Sequence, residues 1–388
     1  MNRVVVLVAI LLGACTSSGP ESLGPKAPPT GASGAAPLTR PTTASASGVA
    51  SAAAVAVDPA RLPPADRIFF AGGLVLGADG TTLWARAPGE RGVEKWRVEG
   101  EGVVQLIAFG DLGDGNRFFV ARGVGRGHLD APLVLQSLEP ETGKATELWR
   151  TSGERNEPVT LAVADVDRDG RNELAFAVYA SKYMVRTRHL KAGGQWLPEG
   201  PEIRMATGRA WGDLDADGKA DEVLGRVYGD AKDLPGDLRV DRGKGLEPVP
   251  VVQGIKSVLV ARIGDEASPS LYFCDGWVAN YGKEARARLK RARWTEGKLS
   301  VDTLGESPDE FTFFSLSAAD VDGDGKLELV AQGDKRITVF HATSTGPFRA
   351  APFGALEPVL NTAVGVDDAG RAVVYIPGRP QSRILSLR

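Results

Sequence analysis

The sequence is poor in the side chains that enzymes most often use for chemistry. Its 388 residues include only two cysteines, Cys15 and Cys274, and three histidines, His128, His189 and His341. With one cysteine close to the N-terminus and the other in an apolar stretch, no intramolecular disulfide framework is expected. The histidines are scattered, and the chain has no HExxH motif, no GxSxG elbow and no Cys–His pairing. We therefore predict that the protein is not an enzyme.

The chain also lacks a strong net charge of either sign. Its 46 Lys and Arg residues nearly balance its 49 Asp and Glu residues, which leaves a formal net charge of -3. A nucleic-acid-binding domain is expected to carry a basic patch and a high pI, and the sequence shows neither. The composition, with 43% hydrophobic and 24% charged residues, is that of a globular protein. We predict a folded protein with no nucleic-acid partner.

Long apolar runs are missing as well, and a short one stands at the N-terminus. Residues 4–12, VVVLVAILL, follow Arg3 and are too few to cross a bilayer as a helix. Such a segment is typical of an export signal, which we place at 1–14. Its end, Leu12-Gly13-Ala14-Cys15, resembles the lipobox of bacterial lipoproteins. The alternative is an ordinary signal peptide with an incidental cysteine.

The lipobox resemblance carries an expectation about location. In bacterial lipoproteins, cleavage leaves the cysteine as a new N-terminus that carries lipid, so the resemblance implies that Cys15 anchors the chain in a membrane. The residue after Cys15 is Thr16 and not Asp, which suits sorting to the outer membrane of a Gram-negative cell. The expected location is the cell envelope, as an outer-membrane-anchored lipoprotein that is periplasmic or surface-exposed.

Large apolar side chains are scarce in the segment that follows the leader. Residues 15–65 are dominated by Ser, Ala, Gly, Pro and Thr, a composition that cannot bury enough surface to fold. We predict that this segment, with the lipid anchor at its start, is a disordered tether. About 50 such residues have a root-mean-square reach of roughly 40 Å.

Sustained helical periodicity is the next absence, and it characterises 66–388. Short runs of β-branched and aromatic residues, such as TLAVADV and LAFAVY, are separated there by Gly, Asp and Pro. These runs are typical of strands, and no stretch of ten residues keeps a helical period. We predict that 66–388 is an all-β domain.

An acidic stretch recurs through this domain and sets its expected architecture. Three complete copies read DVDRDGRNEL, DLDADGKADEV and DVDGDGKLELV, and three degenerate copies can be aligned with them. The intervals between the first acids are 47 to 55 residues, and a period of about 50 residues with four strands per unit predicts the blades of a β-propeller. In chain order, the first acids of the six copies are Asp111, Asp165, Asp213, Asp265, Asp320 and Asp367.

The number of blades follows from how the ends of the domain are assigned. A shortened repeat around Asp79 raises the six copies to seven blades, and six blades is the alternative. The last repeat ends at SRILSLR without a fourth strand, while Arg67–Ala71, RIFFA, is left unassigned at the front. We predict that Arg67–Ala71 closes the last blade by pairing with the C-terminal strand, because a closed ring leaves no long exposed edge.

The three complete copies have the ligand spacing of a calcium loop. Ca²⁺ takes six to eight hard oxygens, and acids at positions 1, 3 and 5, a Gly at 6 and a main-chain carbonyl at 7 supply most of them. Here an acid follows at position 9, whereas an EF-hand needs Glu at position 12 and flanking helices. We predict about three Ca²⁺ sites, although an acidic turn without metal is the alternative. Their residues are Asp165, Asp167, Asp169, Arg171, Glu173, Asp213, Asp215, Asp217, Lys219, Asp221, Asp320, Asp322, Asp324, Lys326 and Glu328, of which Arg171, Lys219 and Lys326 offer main-chain oxygens only.

The degenerate copies differ from these three in their acids. Those that begin at Asp111, Asp265 and Asp367 lack two or more of the ligands. We interpret them as turns without metal.

The repeated DxDxDGxxE/D motif, at a spacing of about 50 residues between predicted strands, resembles the FG-GAP or VCBS repeats of integrin-type β-propellers. The resemblance covers about 67–388, with three specific matches. It implies that the calcium loop joins the first two strands of a blade, that the metal is structural, and that partners bind on the opposite face.

A set of aromatic and polar residues follows the second strand in several repeats, on the face that the resemblance leaves for partners. These residues could bind a sugar or a protein, although packing between blades is the alternative. They are Tyr179, Tyr183, Tyr228, Asp275, Trp277 and Tyr281. The predicted function is a binding or interaction module for an unknown protein or glycan. The alternatives are a propeller enzyme, such as a quinoprotein-like dehydrogenase or a polysaccharide lyase, and a structural subunit of an envelope complex.

Overall fold

The computed structural model describes most of the chain from Leu62 onward. The described residues are 62–89, 92–123, 132–151, 157–181, 183–227, 229, 236–251, 254–255, 257–275, 288–306, 315–332, 336–343, 346–355, 363–377 and 382–386. They form antiparallel sheets in chain order, each built from consecutive strands. The leader, Cys15 and the predicted tether up to residue 61 lie outside these residues, whereas Leu62 and Ala65, at the end of the predicted tether, are buried.

The first three sheets have four strands each. They contain β1 (Arg67–Ala71), β2 (Leu74–Asp79), β3 (Thr82–Arg86), β4 (Glu94–Glu99), β5 (Val103–Asp111), β6 (Asn116–Gly123), β7 (Val134–Leu138), β8 (Ala145–Arg150), β9 (Pro158–Ala164), β10 (Glu173–Tyr179), β11 (Met184–Leu190) and β12 (Ile203–Arg204). A 3-10 turn, Ala192–Gly194, lies between β11 and β12.

Three further four-stranded sheets and one three-stranded sheet follow. They contain β13 (Gly208–Gly212), β14 (Asp221–Gly225), β15 (Leu238–Asp241), β16 (Leu246–Val249), β17 (Val258–Ala261), β18 (Ser270–Asp275), β19 (Arg288–Thr295), β20 (Lys298–Glu306), β21 (Ser315–Ala319), β22 (Glu328–Gln332), β23 (Arg336–Thr343), β24 (Gly346–Ala355), β25 (Ala363–Val366), β26 (Ala372–Ile376) and β27 (Arg383–Ser386).

Successive sheets pack face to face, which makes the fold a β-propeller. On β10 the Phe176 ring packs on Trp149 of the preceding sheet, with 5.7 Å between ring centroids. The next residue, Ala177, clusters with Leu224 of the following sheet. Neighbouring residues of a strand point to opposite faces of the sheet, so these two contacts show that β10 is covered on both faces. Its residues are accordingly apolar at nearly every position. The outer strand β8, by contrast, is largely exposed.

The packing of sheets continues from the last to the first. Ile68 and Val75 of the first sheet share an apolar cluster with Val373 and Tyr375 of the last sheet. The Phe70 ring also stacks on Tyr375, with 6.1 Å between centroids and planes 7° apart. The ring is therefore closed by contact between the faces of its terminal sheets.

The structure confirms the predicted all-β propeller, with six blades of four strands each. The described part of the remaining sheet has three strands, β25, β26 and β27. The architecture therefore agrees with the alternative of six four-stranded blades, and it differs from seven complete blades.

The predicted role of Arg67–Ala71 is wrong. This strand pairs with β2, from Arg67 opposite Ala78 to Ala71 opposite Leu74. Gly72 and Gly73 have φ values of 56° and 71°, and two glycines at positive φ form the tight turn that folds one strand back on the next. The contact with the C-terminal strand is made upstream instead, where Leu62 forms an antiparallel bridge with Ser382.

The same pairing shows that Asp79 does not begin a repeat like the others. Asp79 pairs with Thr82 in the turn between β2 and β3, the second and third strands of its sheet. The position that corresponds to the other acidic stretches is the Gly72-Gly73 turn between β1 and β2. No helix among the described residues has the length and apolar character needed to cross a membrane.

Candidate metal centres in the acidic loops

The three complete acidic stretches form the same kind of loop in three different blades. Loop I (165–173) joins β9 to β10, loop II (213–221) joins β13 to β14, and loop III (320–328) joins β21 to β22. Each loop therefore connects the first two strands of its sheet. All three loops meet the sheet at the start of a second strand that is almost fully buried.

The first Asp of each loop organises the backbone. In loop I the two oxygens of Asp165 accept hydrogen bonds from the amides of Asp169 and Gly170 at 3.0 and 2.9 Å. In loop II Asp213 accepts from the amides of Asp217 and Gly218, both at 3.0 Å. An Asp side chain satisfies backbone donors in this way because it is short enough to fold back on its own loop.

Loop III repeats this pattern with a small shift. Asp320 accepts from the amides of Gly323 and Gly325 at 2.7 and 2.9 Å. Positions 4 and 6 have positive φ in all three loops, and loop III has glycine at both positions. Arg168 and Ala216 occupy position 4 of loops I and II at φ values of 63° and 62°, a conformation that is unfavourable for residues with a Cβ.

The acid at position 9 is buried in every loop. Glu173, Asp221 and Glu328 are 1%, 0% and 4% exposed. Each accepts a hydrogen bond from the amide at position 2, namely that of Val166 at 2.9 Å, Leu214 at 2.8 Å or Val321 at 2.6 Å. This bond fixes the carboxylate beneath the loop, at the first residue of the buried second strand.

Burial changes the protonation of these acids. Burial is the main cause, and the neighbouring loop aspartates a further one, of the rise in the pKa of Asp221 and of Glu328 to about 6. Burial also raises the pKa of Glu173. A carboxylate that is both desolvated and next to like charges is costly to ionise, and a nearby cation removes that cost.

The loops bring most of the predicted ligands together. One oxygen from each of Asp165, Asp167 and Glu173 lies within 4.8 Å of the other two, and the same holds for Asp213, Asp215 and Asp221 in loop II. In loop III the corresponding group is Asp320, Asp322 and Asp324. The position-5 acids Asp169 and Asp217 are not members of the groups in loops I and II, and they accept hydrogen bonds from the amides of Arg171 and Lys219, both at 2.9 Å.

Basic side chains that the sequence analysis did not identify lie against loops I and II. Lys191 Nζ lies 2.5 Å from Asp167 and 2.8 Å from Asp169. In loop II, Arg242 Nη1 lies 3.3 Å from Asp215 Oδ2. Lys191 and Arg242 directly follow β11 and β15, the third strands of their sheets. The strand register places each of them opposite the position-9 acid of its loop. Their position depends on strand pairing, so the linear sequence alone gives no signal for it.

Lys326, at position 7 of loop III, ties this loop to the preceding blade. Its Nζ lies 2.9 Å from Asp265, the first acid of a degenerate copy. Its backbone amide donates to Asp324 at 2.8 Å. The main-chain oxygens of Arg171, Lys219 and Lys326 stay predicted ligands.

The degenerate copies use their acids in turns. Asp111 accepts from the amides of Gly113 and Gly115 at 2.6 and 2.8 Å. Asp367 accepts from the amides of Ala369 and Arg371, both at 2.9 Å, and its other oxygen lies 2.7 Å from the Arg371 guanidinium. In that copy the protein places its own cation on the acid.

The predicted ligand-binding residues lie only partly within the described structure. Tyr179 packs partly buried against the cluster that joins the third and fourth sheets. Tyr183 is 40% exposed, with the Arg204 guanidinium 5.2 Å from its ring centroid. Asp275 is fully buried and forms an ion pair with Lys290 at 2.5 Å. Tyr228, Trp277 and Tyr281 lie outside the described residues, as does Cys15.

Comparisons with known proteins add little beyond this geometry. No protein-family model matches the sequence, and no curated protein matches it. Among solved structures, the crystal structure of Sqt1 from Saccharomyces cerevisiae is similar with a TM-score of 0.48 and 12% identity, over 83% of each chain. The resemblance to FG-GAP or VCBS repeats therefore stays a prediction from the loop motif.

Proposed function

We propose that the chain is a calcium-stabilised β-propeller that acts as a binding or interaction module at the cell envelope. The observation that carries the calcium part is the convergence of three carboxylates in each loop. In loops I and II one of the three is a position-9 acid buried in the propeller core. A propeller suits the binding part, because its rigid ring presents loops at both ends for contact with partners.

The donor set fits calcium. The convergent atoms of the three groups are all carboxylate oxygens, the hard ligands that Ca²⁺ prefers, and main-chain carbonyls and water can complete six to eight ligands. Calcium also offsets the two costs described above, the burial of the position-9 acid and the repulsion between neighbouring aspartates. The role we assign to the metal is structural, since each loop connects two strands of one blade.

Thermal unfolding at increasing calcium concentration tests this assignment. A ligand that binds only the folded state stabilises it by about 4 kcal/mol when its concentration is a thousand times Kd, so the Tm should rise with calcium. Asp213→Asn should reduce the rise, because it removes a carboxylate from loop II. Asp111→Asn is the matched control, an acid at the same position of a loop that lacks the cluster. A calcium-independent Tm would overturn the proposal.

The location of the protein is a separate proposal that is supported by the leader sequence. We propose export through the signal at 1–14, a lipid on Cys15, and a tether that begins at Cys15 and holds the propeller, whose described part starts at Leu62, near the outer membrane. Cys15→Ser should move the full chain from the membrane fraction to the soluble fraction. Unchanged membrane retention would reject the lipid anchor.

We also propose binding rather than catalysis, with a protein or a glycan as the ligand. A glycan array and a crosslinking pull-down with the full chain distinguish these two classes. For the architecture, we propose that the three-stranded sheet is a seventh blade and that the segment around Leu62 stands in the place of its fourth strand. The bridge between Leu62 and Ser382 supports this arrangement.

A further inference from the structure

Loop III differs from the other two loops in the side chain that faces it from the third strand. His341 of β23 offers a ring nitrogen that lies within 4.8 Å of an oxygen of Asp322 and of an oxygen of Glu328, and these two oxygens are equally close to each other. The imidazole is half-buried, Glu328 is 4% exposed and Asp322 is exposed. Loop III therefore contains a second group of candidate ligands, which shares Asp322 with the group described above.

The strand register explains why His341 reaches the loop. Leu329 of β22 pairs with Phe340 of β23, so the next residues along, Glu328 and His341, face each other at the start of the buried strand. In loops I and II the same register position holds Lys191 and Arg242.

Those two side chains show independently that this position points into the loop. Lys191 and Arg242 both contact the aspartate at position 3, at 2.5 and 3.3 Å. The position-3 aspartate of loop III is Asp322, the residue that groups with His341. The protein thus places a fixed cation at two of its acidic loops and an imidazole at the third.

An imidazole changes which metals a site accepts. A lysine or arginine cannot ligate a metal and competes with one for the aspartate, whereas a neutral histidine donates a nitrogen lone pair. First-row divalent metals such as Mn²⁺, Co²⁺ and Zn²⁺ accept mixed nitrogen and carboxylate ligands, while Ca²⁺ selects oxygen. Metal bonds of about 2.0–2.2 Å place the ligand atoms roughly 3 to 4.3 Å apart, within the observed spacing.

We propose that Asp322, Glu328 and His341 form a site for a first-row divalent metal, distinct in ligand type from loops I and II. The proposal rests on the proposed function in one respect, that the acidic loops bind metal at all. It goes beyond that function in assigning a nitrogen ligand and a different class of metal to one of the three loops.

Titration of the full chain with Co²⁺ alone, followed by visible absorption, tests the proposal. We expect a Co²⁺ site with the spectrum of mixed nitrogen and oxygen ligation. His341→Asn should weaken Co²⁺ binding at this site at least tenfold. His341→Lys, which copies the residue of loop I, should abolish the signal. Melting of each variant in metal-free buffer checks that it is folded.

A gain-of-function variant keeps the test independent of any damage to loop III. Lys191→His places an imidazole at the matching position of loop I, beside Asp167, and should add a second Co²⁺ site with a similar spectrum. If Co²⁺ binds equally to the wild type and to His341→Asn, the proposal is wrong. If calcium raises the Tm but Co²⁺ gives no such signal, only this inference fails. If neither metal has an effect, the proposed function fails with it.

Discussion

The guanidinium of Arg168, in loop I, lies 2.6 Å from the carboxylate of Asp221, the buried acid that ends loop II. Arg168 is 18% exposed and also donates to the main-chain oxygen of Asp241 at 3.2 Å. The contact joins two neighbouring blades through their acidic loops. It also places a protein cation on a carboxylate that is a candidate calcium ligand, so the arginine and the metal compete for Asp221.

Removal of this arginine should make the protein more dependent on calcium. Arg168→Gln leaves Asp221 buried without its cation, and breaking a buried ion pair lowers the free energy of unfolding by about 3–5 kcal/mol. Protonation of Asp221 reduces this loss, because it removes the buried charge. We expect a lower Tm in calcium-free buffer and a larger rise on addition of calcium than in the wild type. Differential scanning calorimetry with and without calcium measures both effects.

Arg171→Gln is the matched control for this prediction. Arg171 belongs to the same loop, and its side chain is exposed. Its replacement should leave both the calcium-free Tm and the calcium-induced rise close to those of the wild type. An equal response from the two variants would show that Arg168 does not compete with the metal.

The raised pKa of Glu328 predicts a pH dependence of stability in calcium-free buffer. The folded protein holds this proton up to about pH 6, whereas an unfolded Glu loses it near pH 4. The folded state therefore loses stability, relative to the unfolded state, as pH rises from about 4 to about 6, by roughly 2 kcal/mol. Glu328→Gln has no ionisable group at this position, so its stability should not show this decrease between pH 4 and pH 6.

Denaturant unfolding of the two proteins between pH 4 and pH 7 measures the effect. The stability of Glu328→Gln relative to the wild type should increase by roughly 2 kcal/mol over this range. Saturating calcium should reduce or reverse the trend, because it stabilises the ionised carboxylate. A constant difference between the two proteins at every pH would contradict the prediction.

Thr187 of β11, in the third sheet, is a buried residue whose cross-strand neighbour is Ala177. Thr187 Oγ1 is buried and has no hydrogen-bond partner among the described residues. Burial of an unsatisfied hydroxyl costs about 1–3 kcal/mol. Thr187→Val, which keeps the shape of the side chain, should therefore raise the free energy of unfolding by about 1 kcal/mol. Thr142→Val is the control, since the exposed Thr142 hydroxyl bonds to Glu139, and it should be neutral or slightly destabilising.

The strands were predictable from the sequence where burial leaves a local pattern. TLAVADV and LAFAVY correspond to β9 and β10, because the inner strands of a propeller are apolar on both faces. The acidic loops were placed between first and second strands because DxDxDG fixes its own backbone through side chain to amide bonds. Sequence patterns do not identify Lys191, Arg242 and His341, since each approaches its loop through strand register, opposite a position-9 acid that lies 13 to 21 residues away in sequence.

The Gly72-Gly73 turn is a local signal that contradicts the predicted pairing of Arg67–Ala71 with the C-terminal strand. Two glycines between the apolar runs RIFFA and LVLGAD are typical of a tight hairpin, and this hairpin occupies the strand that was assigned to ring closure. The contact between Leu62 and Ser382 could not be predicted, because a single bridge between residues 320 positions apart leaves no periodic pattern.

Replacement of Leu62, which lies where the first and last sheets meet, should strongly destabilise the protein. Leu62 is 1% exposed, bridges Ser382, and belongs to the cluster that joins the first and last sheets through Ile68, Trp84 and Tyr375. Leu62→Ala should lower the free energy of unfolding by about 2–5 kcal/mol, as expected for a buried Leu. Val93→Ala, at a side chain that is 74% exposed, should change it by less than about 0.5 kcal/mol. Because Leu62 lies in the contact region between the first and last sheets, hydrogen exchange in Leu62→Ala should increase first in β1 and in the last sheet. A uniform increase in hydrogen exchange across all the sheets would instead show that the ring unfolds as one unit and that Leu62 does not specifically hold the terminal sheets together.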